Sequence, residues 1–288
     1  MSEFGDTPDD LCAQGLLQEG KTKRIWGTAN PDIVIIENTD RLTAYNGREE
    51  IYIGTKGQFS TRISNVCFGY LRSRGVWNHY LWPASKVEDS HKFWAWKLDM
   101  LPVEFVVRFQ PYGSYLARHP HRDYKKPFSR PILECFEKND ALGDPWLVPN
   151  RKKGTMCWYM PDQPRSKRTL IDERPLSEVS YLRTDRWAEA YSRVRDAAQM
   201  LRKSWKHGNA TLVDIKFECG VSSVGDVVIG DIIDADCWRL WRNGDPNDPL
   251  DRQLFKNNCE RHEILEAYET ILNQTTRWLS LGGGNTGN

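Results

Sequence analysis

The stretch LVDIKFECG, residues 212–220, followed after a short turn by VVIGD, residues 227–231, decides how this chain is read. In Leu212-Val213-Asp214-Ile215-Lys216-Phe217-Glu218, polar residues alternate with apolar ones, so a strand here projects Asp214, Lys216 and Glu218 from one face and buries the other. The run 225–233 pairs with 211–219 across a glycine-containing turn as a hairpin, and Asp231 lies at the end of its second arm. Two carboxylates on adjacent strands with a lysine between them suit Mg²⁺ and the phosphates of a nucleotide, because Mg²⁺ is commonly held by one or two carboxylates plus phosphate oxygens. A half-exposed strand with a cross-strand ion pair accounts for the same alternation equally well.

Outward from the hairpin, the chain reads as α+β. Residues 16–26 and 33–38 are short β-type runs separated by a turn, and Ile33-Val34-Ile35-Ile36 is β-branched enough for a strand covered on both faces. Phe59, Ile63, Val66, Cys67, Tyr70 and Leu71 have helical spacing, with Gly75 as the stop, so a helix covers that sheet. Residues 103–109, entered through Pro102, form a strand whose odd positions are apolar while Glu104 and Arg108 share the other face. Helices are expected over 187–205 and 261–279. Residues 118–130 and 151–174, rich in Lys, Arg, Pro and Ser, read as loops. The expected organisation is a flexible N-terminus (1–15), a β-rich lobe (16–101), an α+β lobe (102–280) and a disordered tail (281–288).

The 288 residues carry 40 Lys+Arg against 39 Asp+Glu, a formal charge of +1. Bulk attraction to nucleic acid is therefore not expected, and any anion site must be local. Seven cysteines without a CxxC pair read as reduced thiols of a cytoplasmic protein. The acidic start does not resemble a secretory signal, and no window is apolar enough for a membrane span. Local anion sites are available. Glu19-Gly20-Lys21-Thr22-Lys23 places a glycine and cations at a turn, and Arg108 with Ser114 offers a guanidinium and a hydroxyl for a phosphate or carboxylate. A salt bridge from Arg108 to Glu104 beside a turn serine would explain the latter pair as well. Cys259 and His262 make only half of a zinc site.

Taken together and in order, LLQEGKTKRIW (16–26), IVIIENTDRLTAYNG (33–47), KLDMLPVEFVVRFQPYGS (97–114), EKNDALGDP (137–145), LVDIKFECG (212–220) and VVIGDIIDADCWRLW (227–241) resemble the SAICAR synthase family, the phosphoribosylaminoimidazole-succinocarboxamide synthases of purine biosynthesis. The resemblance implies a two-lobed fold related to ATP-grasp enzymes and kinases, with ATP in the cleft. It implies ATP-dependent joining of a ribotide-linked aminoimidazole carboxylate to the amine of L-aspartate. By position it assigns Lys21, Lys23, Met100, Lys138, Glu218 and Asp231 to ATP, and Glu218 and Asp231 to Mg²⁺. Arg108, Ser114, Asp236 and Arg239 go to the ribotide, and Lys21, Lys216 and Asp214 to the chemistry. Partners are small molecules; family members are often dimeric or larger, and a homo-oligomer through the terminal helix is compatible with the sequence.

Departures accompany the resemblance. In the family pattern Asp-Glu-x-[Ser/Thr]-Pro-Asp-x-Ser-Arg, this chain places Ile232, Asp234, Ala235 and Trp238, and a Trp beside Arg239 is expected to alter pocket volume and offer a stacking face. Residues 149–174 exceed the short bacterial form. A family member using another carboxylate or amine, or a nucleotide-binding protein without catalysis, remains compatible with these changes.

Overall fold

The computed structural model describes residues 13–44, 47–83, 90–179, 181 and 184–282. The first sheet is built from β1 (Gly15–Glu19), β2 (Lys23–Gly27) and β3 (Ile33–Asn38). A small hairpin, β4 (Arg41–Ala44) and β5 (Glu49–Tyr52), precedes helix α1 (Lys56–Ser73), and β6 (Tyr80–Pro83) and β7 (Lys92–Trp96) complete the sheet in the order β1-β2-β3-β7-β6. As the β-branched run predicts, Ile33 to Ile36 are buried on both faces. α1 covers one face; on the other, Ile33, Ile35 and Trp94 pack with Trp26, Trp82 and Trp96.

The second sheet contains β8 (Asp99–Arg108), the short helix α2 (Ser114–Arg118) at its exit, then β9 (Ile132–Glu137), β10 (Trp146–Asn150), β11 (Thr155–Tyr159) and β12 (Leu170–Pro175). Helix α3 (Thr184–His207) leads to the hairpin β13 (Ala210–Val221) and β14 (Val227–Gly230). The order is β12-β11-β10-β9-β8-β13-β14, with β15 (Trp238–Arg242) also on β13 and every pair antiparallel. After a single turn, α4 (Gln253–Lys256), helix α5 (Arg261–Gly282) closes the described chain and lays Ile264, Tyr268, Ile271 and Leu272 against α1 and the interior.

Two expectations are corrected. Residues 151–174 are not a loop, because Met156, Cys157 and Trp158 are buried and pair across β10 and β12. Their charged flanks conceal a five-residue strand. β8 spans Asp99–Arg108, beginning three residues before Pro102 rather than after it. Residues 1–12 and 283–288, where flexible ends are expected, lie outside the described residues. The two sheets meet at β14: Asn78 forms a parallel bridge with Ile229, and a single apolar cluster runs from Val34 and Phe68 through Phe105 and Phe217 to Trp278.

Candidate functional site

Strand alternation divides β13 into a chemical face and a core face. Ile215 and Phe217, with Phe105 and Val107 opposite them, are buried on the α3 side. The other face presents Asp214 opposite Arg108, Lys216, and Glu218 opposite Glu104; the β8–β9 register adds Glu134. At about 3.3 Å per residue, Asp214 and Glu218 stand roughly 13 Å apart along the strand. That spacing separates two charged clusters.

At the Glu218 end, Lys138 Nζ and Lys216 Nζ donate to the Glu218 carboxylate at 2.5 and 2.7 Å. Lys216 also reaches Glu104 at 3.1 Å and Asp231 at 3.7 Å, and Lys23 is in contact with Asp231. Asp231 follows β14 directly with φ 63°, a left-handed conformation that Asp and Asn tolerate better than most residues. Its carbonyl accepts from His79 Nε2 at 2.8 Å; burial, helped by the charges of Lys23 and Arg72, pushes the His79 pKa down to about 3 and keeps the ring neutral. Burial alone would raise Glu218, but Lys216, Lys23 and Lys138 outweigh it and hold the carboxyl well below its usual range. Burial opposes the Lys216 charge, yet Glu218 and Glu104 keep that ammonium above its ordinary pKa. Lys23, largely desolvated and close to two other lysines, falls to about 8 despite Glu218.

Glu218 and Asp231 are buried carboxylates on neighbouring strands, an oxygen donor pair that fits a hard divalent cation. No third His, Cys, Asp or Glu joins them in a metal-holding group among the described residues, so phosphate or water oxygens would have to complete the shell. The half-site suggested by Cys259 and His262 likewise gains no partner there. Lys21 stands farther out, its ammonium 2.9 Å from Asp140 on the turn after Lys138. Met100 caps this end: Cβ atoms added at Gly220 and Gly230 would come within 3.0 and 3.2 Å of its sulfur, so glycines at these positions admit it.

The Asp214 end is built from guanidinium groups. Arg108 donates to Glu134 at 2.5 Å through Nε, to Asp214 at 2.8 Å through Nη1 and to Ser114 Oγ at 3.1 Å through Nη2. Arg118 shares Glu134 at 2.6 Å, donates to the Pro161 carbonyl at 2.6 Å, and lies over Trp146 and Phe136. Arg239 is in contact with Asp214 and sits 5.7 Å from the Tyr112 ring centroid. Gly113, with φ 54°, leaves space for it, since a Cβ there would lie 2.5 Å from Arg239 Nη2. Three guanidinium groups converge on Glu134 and Asp214 beside a hydroxyl, the donor set of a phosphate or carboxylate site. The alternative pairing of Arg108 with Glu104 is not formed; Glu104 pairs with Lys216 instead.

The structure thus gathers Lys23, Lys138, Lys216, Glu218 and Asp231 in one cluster, and Arg108, Ser114, Asp214 and Arg239 in the other. Asp236 joins neither directly: its oxygens take Lys56 Nζ at 2.6 Å and Tyr268 OH at 2.8 Å. Lys56, 1% exposed at the start of α1, belongs to no motif in the sequence, although the adjoining glycine is a signal: a Cβ at Gly57 would lie 2.5 Å from the Asn38 carbonyl oxygen. Glu134 and Arg118 are equally silent in sequence, since Glu134 lies in no motif and Arg118 opens a segment that reads as a basic loop.

The departures at 232–238 point inward. Ile232, Asp234, Ala235 and Trp238 are all buried, and Trp238 meets Trp205 edge to face at 5.3 Å. The expected stacking face for Arg239 is therefore corrected: neighbours on a strand project oppositely, so Trp238 enters the core and Tyr112 serves the arginine.

A family model described as SAICAR synthetase matches residues 16–275. The phosphoribosylaminoimidazole-succinocarboxamide synthase of Chloroflexus aurantiacus is 29% identical over 91% of this chain and 96% of its own. That of a Synechococcus strain is 31% identical over 90% of this chain and 93% of its own. A solved SAICAR synthetase in complex with ADP superimposes with a TM-score of 0.74 at 26% identity, covering 90% of this chain and 97% of that one.

Proposed function

Because the chain belongs to the SAICAR synthetase family, we propose that it joins the carboxylate of carboxyaminoimidazole ribotide to the amine of L-aspartate, converting ATP to ADP and phosphate. The observation that carries this reading is the pair of clusters on one strand face, lysines with two buried carboxylates at Glu218 and guanidiniums with a serine at Asp214. A carboxylate repels an amine until one of its oxygens becomes a leaving group, and a phosphoryl group from ATP makes it one. The reaction therefore needs one site for a triphosphate and another for an anionic acceptor, with charge offset between them.

We assign Lys23, Lys138 and Lys216 to the phosphates, Lys21 to the outer rim of the same site, and the backbone around Met100 to the base. Glu218 and Asp231 would hold Mg²⁺, which when bound offsets phosphate charge. With ATP bound, the ammonium groups would exchange their carboxylate partners for phosphate oxygens, which would free Glu218 and Asp231 to serve as oxygen ligands. Arg108, Ser114 and Arg239 hold the ribotide phosphate, and Asp214 sets the orientation of both guanidiniums. Asp236, with Lys56 and Tyr268, anchors the 231–239 connection that joins the two ends. Residues 16–101 and 102–280 are proposed as the two lobes. Among the described residues no helix is long and apolar enough to cross a membrane, and six of the cysteines are free thiols, as an enzyme of the cytoplasm would have them.

The testing experiment follows ADP release with the ribotide while the amine is varied. Turnover with aspartate is expected; turnover with a different amine only would overturn the assignment of the second substrate. ATP binding without ADP release for any carboxylate and amine would overturn catalysis itself.

A further inference from the structure

The basic segments around 118–130 and 161–168 lie beside the guanidinium cluster. They contain eight Lys and Arg against two Asp, a local excess in a chain of net charge +1. Arg118 ties them together, since it leaves α2 and donates to the Pro161 carbonyl at 2.6 Å. Arg165 is near enough to His119 to lower its pKa, though burial is the larger cause. Arg122, Lys125, Lys126, Arg130, Arg165 and Lys167 are exposed, and none has an ion-pair partner among the described residues.

A line of contacts connects this surface to the site. Arg239 lies over Tyr112, Tyr112 meets Tyr124 at 6.5 Å, and Lys125 lies 5.8 Å from the Tyr124 ring. On the other flank Phe128 donates its N–H to the Phe109 carbonyl at 2.9 Å and packs edge-on against Tyr115, the neighbour of Ser114. The basic loop is thus anchored at Tyr124 and Phe128 against residues 109–115, the segment that follows Arg108 and carries Ser114.

We propose that residues 119–130 and 161–168 form a charged collar that draws a dianionic phosphate monoester toward Arg108, Ser114 and Arg239. The proposal rests on the ribotide reading for the identity of that ester. Cations held outside a focused positive site raise the local concentration of an anionic ligand and its association rate, an effect that salt screens. They need not touch the bound ligand. A polynucleotide fits the geometry less well, because the collar converges on one buried guanidinium cluster rather than extending as a stripe.

The test uses the full chain and the double variant Lys125→Glu with Lys126→Glu. Stopped-flow association of the ribotide and steady-state kinetics are measured across ionic strength. In the native protein kcat/KM for the ribotide should fall as salt rises. In the variant it should drop about tenfold at low salt and lose most of its salt dependence, with kcat and the KM for ATP unchanged. An unchanged ribotide KM, or an equal loss for ATP, would overturn the collar. So would a lowered kcat, and so would binding of a short single-stranded RNA in preference to the ribotide with the same charge dependence. Ribose 5-phosphate binding, measured calorimetrically without turnover, separates the two readings. If it weakens in the variant while the native protein makes no product from the ribotide and aspartate, the collar stands and the reaction falls.

Discussion

The two ends of the β13 face use different cations under different constraint. At Glu218 the positive charges are ammonium groups on partly exposed side chains, 42% for Lys138, 27% for Lys216 and 25% for Lys23. At the Asp214 end they are guanidiniums, with the Arg108 side chain 3%, the Arg118 side chain 0% and the Arg239 side chain 23% exposed, each held by a carboxylate. A lysine is a point charge on a flexible stem and can follow a phosphoryl group as it moves; a guanidinium is a rigid fork that holds one anion in one orientation. The difference suits a reaction in which phosphate migrates at one end while the acceptor's phosphate stays fixed at the other.

The two ends should differ most at Asp231. Asp231→Asn keeps side-chain shape and tolerates the positive φ, but removes the charge proposed to hold the cation. ADP release should fall by at least about a thousandfold, with the circular dichroism spectrum of the folded protein unchanged. Normal ADP release would remove Asp231 from the metal site.

A reciprocal exchange tests rigidity against mobility. Arg108→Lys leaves one ammonium where three donors serve Glu134, Asp214 and Ser114, so ribotide KM should rise about a hundredfold, and stability should fall because buried carboxylates lose partners. Lys138→Arg retains charge on an exposed side chain and should raise ATP KM only severalfold. Equal penalties at the two positions would erase the distinction.

Much of this arrangement is legible in the sequence because alternation is periodic and motifs are local. Alternation alone puts Asp214, Lys216 and Glu218 on one face, and β3 and α1 follow from the run Ile33 to Ile36 and from the spacing of Ile63, Cys67 and Leu71. Partners distant in sequence leave no such trace. Glu134 meets Arg108 only because β9 lies beside β8, and Lys56 finds Asp236 across 180 residues. β11 is concealed for a different reason: its buried Met156 to Trp158 are few, and the charges around them dominate composition. At Trp238, adjacency to Arg239 in sequence suggests a shared pocket, whereas the alternation of the strand separates the two side chains.

Acid-linked stability should also distinguish the ends. Asp251 accepts from the backbone N–H groups of Leu240 and Gln253, and burial nevertheless raises its pKa from 3.8 to about 6. The folded chain therefore keeps a proton that the unfolded chain has already released between these values, so this group's contribution declines as pH rises from about 4 to 6 and is level above. Relative to Asp251→Asn, the native protein should lose on the order of 2–3 kcal/mol across that window in denaturant titrations. A constant difference would place the Asp251 pKa at its ordinary value.

The smallest effect on the site is expected at Trp238, whose side chain enters the core. Its ring fills a core position against Trp205 and is 2% exposed, whereas the Arg239 guanidinium beside it in sequence projects from the opposite face to Asp214 and Tyr112. Trp238→Phe should leave a void and lower stability by about 1–2 kcal/mol while ribotide KM changes less than about twofold. A fivefold KM change without loss of stability would return Trp238 to the pocket, and the loop departures would then bear on which acceptor is used. With the expected result, selectivity at this end must come from residues that share the Arg239 face, Tyr112 foremost, because strand alternation gives its buried neighbours no route to the ligand.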